Sequence, residues 1–207
     1  MSVVGWLVSF GLLASNAKVI NFDAYPVGKT PPGWTVTTTN RGGRPRWEIR
    51  KDQSAPTQPY VLAQVSTESD SRAPLAILDN FQLQDGEVSV RIKPVAGRGD
   101  QAGGVVWRYR DENNYYVARA DALAKNVAVY KVENGRRVPL IAGVKHDIPS
   151  NGWCILKIWA RGNRFQVYLD HRRILEGRDS TFSGPGKVGL WSADSVTYFD
   201  DFRAYSR

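Results

Sequence analysis

Between Gly104 and Asp121 the chain reads GVVWRYRDENNYYVARAD, two runs of period two around a polar centre. Val105, Trp107 and Tyr109 alternate with Val106, Arg108 and Arg110; after the break, Tyr116, Ala118 and Ala120 alternate with Tyr115, Val117, Arg119 and Asp121. Side chains on a strand point alternately to its two faces, so a period of two over this length predicts a β-hairpin. Asp111-Glu112-Asn113-Asn114 supplies residues that favour a turn. One parity set is apolar and aromatic and the other carries arginines. That predicts a hairpin with one face on a core, including Trp107 and Tyr109, and a cationic face turned outward.

The same pattern recurs along the chain. Gly86–Lys93, Val127–Glu133, Cys154–Ala160, Phe165–Leu169, Val188–Trp191 and Val196–Tyr205 read as strands, and no segment after Lys18 has helical periodicity of convincing length. Asn134-Gly135 between two such runs fits a type I′ turn. Many short strands with evenly spaced turns predict an all-β fold, a two-sheet antiparallel β-sandwich of the jelly-roll kind. The 7 Trp, 9 Tyr and 7 Phe can fill its core. Residues 18–207 form a single domain in this reading, with Asp23–Arg46 as a long loop and edge strand laid over the sandwich and residues 94–103 as a connection. Arg98-Gly99-Asp100 in that connection carries no weight as an adhesion motif, since three-residue matches arise often by chance.

Residues 1–17 differ from the rest. An apolar run from Val3 to Leu13 ends in Ala14-Ser15-Asn16-Ala17, which predicts a cleaved export signal and an exported chain (periplasmic, cell-surface or extracellular), although no Lys or Arg precedes the run. The run is too short to span a bilayer, and no other segment is long enough. The formal net charge of +8 fits an anionic partner or a merely soluble basic protein. No recognisable nucleic-acid motif accompanies it. Cys154 is the one cysteine, so no intramolecular disulfide forms; in the run Trp153-Cys154-Ile155-Leu156 it reads as a small core residue.

Sorting strands by parity turns Val88, Val90 and Ile92 inward and Glu87, Ser89, Arg91 and Lys93 outward. It buries Ala128, Tyr130 and Val132 against Val127, Val129 and Lys131, and sends Trp191 away from Val188 and Leu190. The outward set Arg91, Arg108, Tyr115, Arg119 and Trp191 is then a candidate ligand face. Indole faces stack on sugar C–H groups, and guanidinium groups donate to hydroxyls or a carboxylate. Cross-strand pairing for sheet stability accounts equally well for such residues.

The succession GGVVWRYRDENNYYVARAD, NVAVYKVENGRR, the W-x-x-L-K-I-W-A-R-G-x-R-F-Q-V-Y-L-D run and GKVGLWSADSVTYFDDF resembles the concanavalin A-like, laminin-G-like jelly rolls. More closely it resembles bacterial exported domains of the 3-keto-disaccharide hydrolase-like, family-16-glycoside-hydrolase-like group. The likeness runs from about Gly86 to the C-terminus, with a weaker echo in FDAYPVGKTPPGW. It implies a sandwich whose concave face binds an oligo- or polysaccharide, neutral or acidic. It does not fix an activity, because this fold hosts lectins, binding modules and hydrolases.

Relatives that hydrolyse glucans place their carboxylates as Glu-x-Asp-x-x-Glu, and no such pattern occurs here. Glu48, Glu87 and Asp121 remain as carboxylates that a sheet could assemble for glycoside or 3-keto-glycoside hydrolysis. Asp23, Asp200 and Asp201 could meet where the chain termini pair and offer oxygen ligands to a structural Ca²⁺; no cofactor is required. Three functions therefore stand: a carbohydrate-binding jelly roll, which is favoured, a hydrolase, and a structural or adhesive envelope module.

Overall fold

A computed structural model describes residues 16–40, 43–66 and 73–207. In it the alternating runs become fifteen strands among the described residues. In chain order they are β1 (Ala17–Ile20), β2 (Trp34–Thr38), β3 (Trp47–Lys51), β4 (Tyr60–Gln64), β5 (Pro74–Leu83), β6 (Gly86–Ala96), β7 (Ala102–Asp111) and β8 (Asn114–Asp121). There follow β9 (Asn126–Glu133), β10 (Arg136–Lys145), β11 (Cys154–Arg161), β12 (Arg164–Leu169), β13 (Arg172–Arg178), β14 (Gly186–Ser192) and β15 (Val196–Ser206). The expected export signal lies almost wholly outside the described residues.

The strands form two antiparallel sheets. The first has the order β13-β12-β11-β6-β15-β4-β3, with β1 also on β15; the second has the order β10-β9-β8-β7-β14-β5-β2. Their inner faces share one apolar core. Trp34 of β2 meets Phe202 of β15 edge-on with ring centroids 5.2 Å apart, and Trp107 of β7 reaches Phe165 of β12 at 5.9 Å. Each such buried side chain stabilises the sandwich by roughly 2–3 kcal/mol. Cys154 sits in this core, where burial pushes its thiol up to about 12, so it is an inert packing residue.

The predicted hairpins are present. Asp111 pairs with Asn114 across the β7–β8 turn, and Asn134 and Gly135 both have positive φ (51° and 75°), as a type I′ turn requires. Two parity assignments need correction. At Arg108 (φ 49°) a bulge shifts the register of β7, so Trp107 is in the core but Tyr109 crosses to the outer face and packs on Tyr115. In β9, Val127 and Val129 face the core, whereas Tyr130 and Val132 belong to a second apolar cluster on the outer face of the second sheet. Both faces of β9 are buried, so alternation alone did not reveal which was which.

Candidate functional site

That second cluster is roofed on one side by segments that rise beyond the sheet, and between them lies a cleft of about 460 Å³. Thr39 and Asn40 come from the loop after β2, Asp100 from the β6–β7 connection, Arg137 from the start of β10, and Asp194 from the link between β14 and β15. Tyr115 and Trp191 form its floor with Val132, Ala73 and Ala193. The walls are tied together: the Asn40 backbone N–H donates to Asn113 Oδ1 (3.0 Å), and its Nδ2 donates to the Gly135 carbonyl (3.1 Å). Two hairpin turns thereby fix the loop that carries the cleft's edge.

Two of the expected ligand residues, Tyr115 and Trp191, line the cleft, and a third, Arg119, stands beside it. Strand register puts Trp191, Gly104 and Arg119 in one cross-strand row, with the glycine leaving space between the two large side chains. The Tyr115 hydroxyl is in a 2.7 Å hydrogen bond with Thr39 Oγ1, and burial raises the pKa of its phenol. The indole N–H of Trp191 sits near enough to that hydroxyl to favour its ionised form, yet it makes no aligned hydrogen bond. Trp191 is only 2% exposed, so its ring cannot act as the open stacking platform expected from the sequence.

Charge beside the cleft is organised around Arg119. Its Nη1 donates to Asp121 Oδ2 and stands 3.5 Å from Asp100 Oδ1, while its Nε has no partner among the described residues. Arg119 and Arg137 lie against the Tyr130 ring, 5.7 Å and 4.9 Å from its centroid. Burial works to raise the Asp121 pKa, but the Ala124 N–H and the Arg119 charge outweigh it and hold this carboxylate ionised. Asp100 is shifted the other way, up, by partial burial and by Asp121 beside it.

The other expected site residues lie elsewhere. Arg108 is corrected from ligand face to buried structural group. Its guanidinium donates to the carbonyls of Gln84 (3.0 Å), Phe182 (2.9 Å) and Gly162 (2.6 Å), because the β7 bulge turns it inward at one end of the sandwich. Arg91 is on the outer face of the first sheet, 3.0 Å from Asp201, away from the cleft. The three carboxylates considered for hydrolysis are dispersed. Glu48 lies between Arg46 and Arg50 at 2.8 Å each, Glu87 faces Lys157 at 3.4 Å, and both are on the first sheet, opposite Asp121.

Asp23, Asp200 and Asp201 do approach one another where β15 bulges (Asp201, φ 50°). Each carboxylate already accepts protein donors: Tyr60 N–H for Asp23, Thr57 N–H and Asp201 N–H for Asp200, and Arg91 with the Thr57 hydroxyl for Asp201. Among the described residues no group of three or more His, Cys, Asp or Glu side chains is disposed to hold a metal ion.

Asp100, Arg137, Asp194, Thr39 and Asn40 were not legible as site residues. All but Arg137, the second residue of β10, stand on connections, where no periodicity assigns a face. The one available signal was that Asn134-Gly135 and Asn113 mark hairpin ends, which in a sandwich gather around the rim of a sheet.

A chain of this architecture belongs with the jelly-roll sandwiches, and comparison with known proteins narrows that class. No family model matches the chain. It is 30% identical to the carbohydrate binding module CBM66 from Bacillus subtilis, with a TM-score of 0.63 over 83% of this chain and 94% of that one. The chain belongs to the family of that module. Over 113 residues it is 40% identical to levanase from Bacillus subtilis (strain 168); that match covers 53% of this chain but only 16% of the levanase. The β-glucanase of Bacillus licheniformis shares the fold at 14% identity, with a TM-score of 0.57 over 93% of this chain and 98% of that one.

Proposed function

We propose that this chain binds carbohydrate, and that its ligand is a neutral fructan of the levan type held in the cleft over the second sheet. The observation that carries this reading is the convergence of Asp100, Asp194 and Arg137 over a floor of Tyr115 and Trp191, with Arg119 3.5 Å from Asp100 beside the cleft. Family membership with a carbohydrate binding module and the likeness to levanase support the ligand class. Two guanidinium groups stand beside three carboxylates, so the cleft carries little surplus charge and suits hydroxyls, which both donate and accept, better than an anion. Partly desolvated side chains make such bonds stronger than they would be in water.

Hydrolysis is not supported by the same geometry. The two carboxyls on Arg119, Asp100 and Asp121, crowd the same Nη1 and each shifts the other's pKa. A glycosidic bond cut between two carboxyls needs them roughly 5–10 Å apart. We further propose that residues 1–17 direct export; the intact mass of chain recovered outside the cells, short by that segment, is the expected result.

The cleft assignment is tested by titrating levan, and a panel of other neutral polysaccharides, into wild type, Arg137→Ala and Asp100→Asn. Arg137 and Asp100 are on the rim, so neither change removes core packing. The expected result is a loss of roughly tenfold or more in levan affinity for each, the equivalent of one charge-assisted hydrogen bond. Levan affinity equal to wild type in both variants would remove the cleft as the site.

A further inference from the structure

The chain carries a formal net charge of +8, and one edge of the first sheet gathers cations in a single row. Strand register puts Arg161 of β11 opposite Arg164 of β12, and Arg164 opposite Arg178 of β13. All three point away from the core, because their neighbours Ala160, Phe165 and Gly177 form the adjacent inward row. All three are exposed. Side chains directly opposite on neighbouring strands are about 5 Å apart at Cβ, and like charges there are destabilising. Only Arg164 is relieved: Glu176 Oε1 accepts from it at 2.7 Å, and the same carboxylate also serves Arg173 at 3.1 Å. Among the described residues neither Arg161 nor Arg178 has a carboxylate partner.

The next row on this face is Glu176, Gln166, Trp159 and Glu87, and the one beyond it contains Arg173, Tyr168 and Lys157. Trp159 and Tyr168 are half-buried and, among the described residues, pair with no other ring. Lys157 Nζ stands 4.4 Å from the Tyr168 centroid. The three-strand edge thus presents guanidinium forks beside the partly exposed rings of Trp159 and Tyr168, one Tyr168 face being taken by Lys157, with fewer carboxylates than cations.

We propose that the outer face of β11, β12 and β13 is a second binding surface, separate from the cleft, for an anionic polysaccharide. Forked guanidinium donors match the paired oxygens of a carboxylate or a phosphate, and an anion lying along the arginine row relieves its internal repulsion. Sugar rings of the same polymer stack on Trp159 and Tyr168. The cleft and this face then engage different polymers at once, a neutral one and a charged one.

The experiment uses the full chain and measures binding to polygalacturonate, to phosphorylated dextran and to single-stranded DNA of similar length. It compares wild type with Arg161→Gln/Arg178→Gln and with Lys125→Gln/Lys145→Gln, which removes equal charge from the β8–β9 turn and the end of β10. Both glycan-type polymers are anionic, and whichever binds more tightly identifies carboxylate or phosphate as the preferred group. The expected result is binding that weakens with added salt and falls roughly tenfold in the arginine variant but less than about twofold in the lysine variant. Levan affinity is unchanged in both, which separates this surface from the cleft. Without polymer, Tm of the arginine variant is at or above that of wild type, since opposed like charges have been removed. Equal losses in the two variants, no polyanion binding at low salt, tighter binding of DNA than of either polymer, or a lowered Tm of the arginine variant would each overturn the proposal.

Discussion

Two buried charged side chains show how single residues set the stability of this sandwich. Arg108 is 3% exposed at its side chain, and burial draws its pKa down despite the nearby Asp85. It stays because three backbone carbonyls at the end of the sandwich have it as a donor. Arg108→Ala leaves those carbonyls without that partner, and the expected loss is about 3 kcal/mol or more in urea unfolding, with levan affinity retained by the folded fraction. Asp200 behaves in the opposite sense. It is fully buried, and burial first, then Asp201 and Asp23, push its pKa up to about 6 from 3.8. Because the folded state holds the proton more tightly, Asp200 stabilises fully below about pH 4, and that contribution is lost as pH rises through 6. The stability difference between wild type and Asp200→Asn, followed by unfolding at a series of pH values, should shift against wild type by up to about 3 kcal/mol across this window. A flat difference would mean that the carboxylate is not perturbed. The sequence placed Asp200 and Asp201 together with Asp23 but could not show that backbone amides and Arg91 already use their oxygens.

At the scale of elements, the strands and their turns were legible because alternation and turn chemistry are local. The β7–β8 hairpin, the Asn134-Gly135 turn and the inward faces of β6 and β14 all follow from residues adjacent in sequence. Faces were lost where a bulge or a doubly buried strand broke the rule. One positive-φ residue, Arg108, reverses the parity of everything after it in β7, and β9 is apolar on both sides. The cleft's rim was illegible for a related reason: it is assembled from connections that meet only after both sheets have formed. Gly135 joins the two levels. A Cβ there would lie 2.1 Å from Asn40 Oδ1, and its φ of +75° disfavours any L side chain. Gly135→Ala should therefore lower stability by about 1–2 kcal/mol and displace the Asn40 wall. Levan affinity is expected to fall with it; a variant that is less stable but binds as wild type would show that this wall does not touch ligand.

For the whole molecule, the sandwich separates two chemistries onto two faces. The second sheet carries a sheltered cleft with nearly balanced charge, and the first carries open rows of arginine, lysine and aromatic rings. Tyr115, Arg119 and Trp191 share the outer face of the second sheet, since each sits on the outward parity of its strand. The sequence wrongly added Arg91 and Arg108, because parity does not say which sheet a strand joins or where a bulge lies. Binding by the cleft is the central claim, and calorimetric titration of levan into wild type and Arg137→Ala at equal folded concentration tests it most directly. The account predicts saturable binding by wild type and a loss of roughly tenfold or more in affinity for the variant, with Tm changed by no more than a few degrees. Unaltered affinity in the variant, with its fold intact, would contradict it.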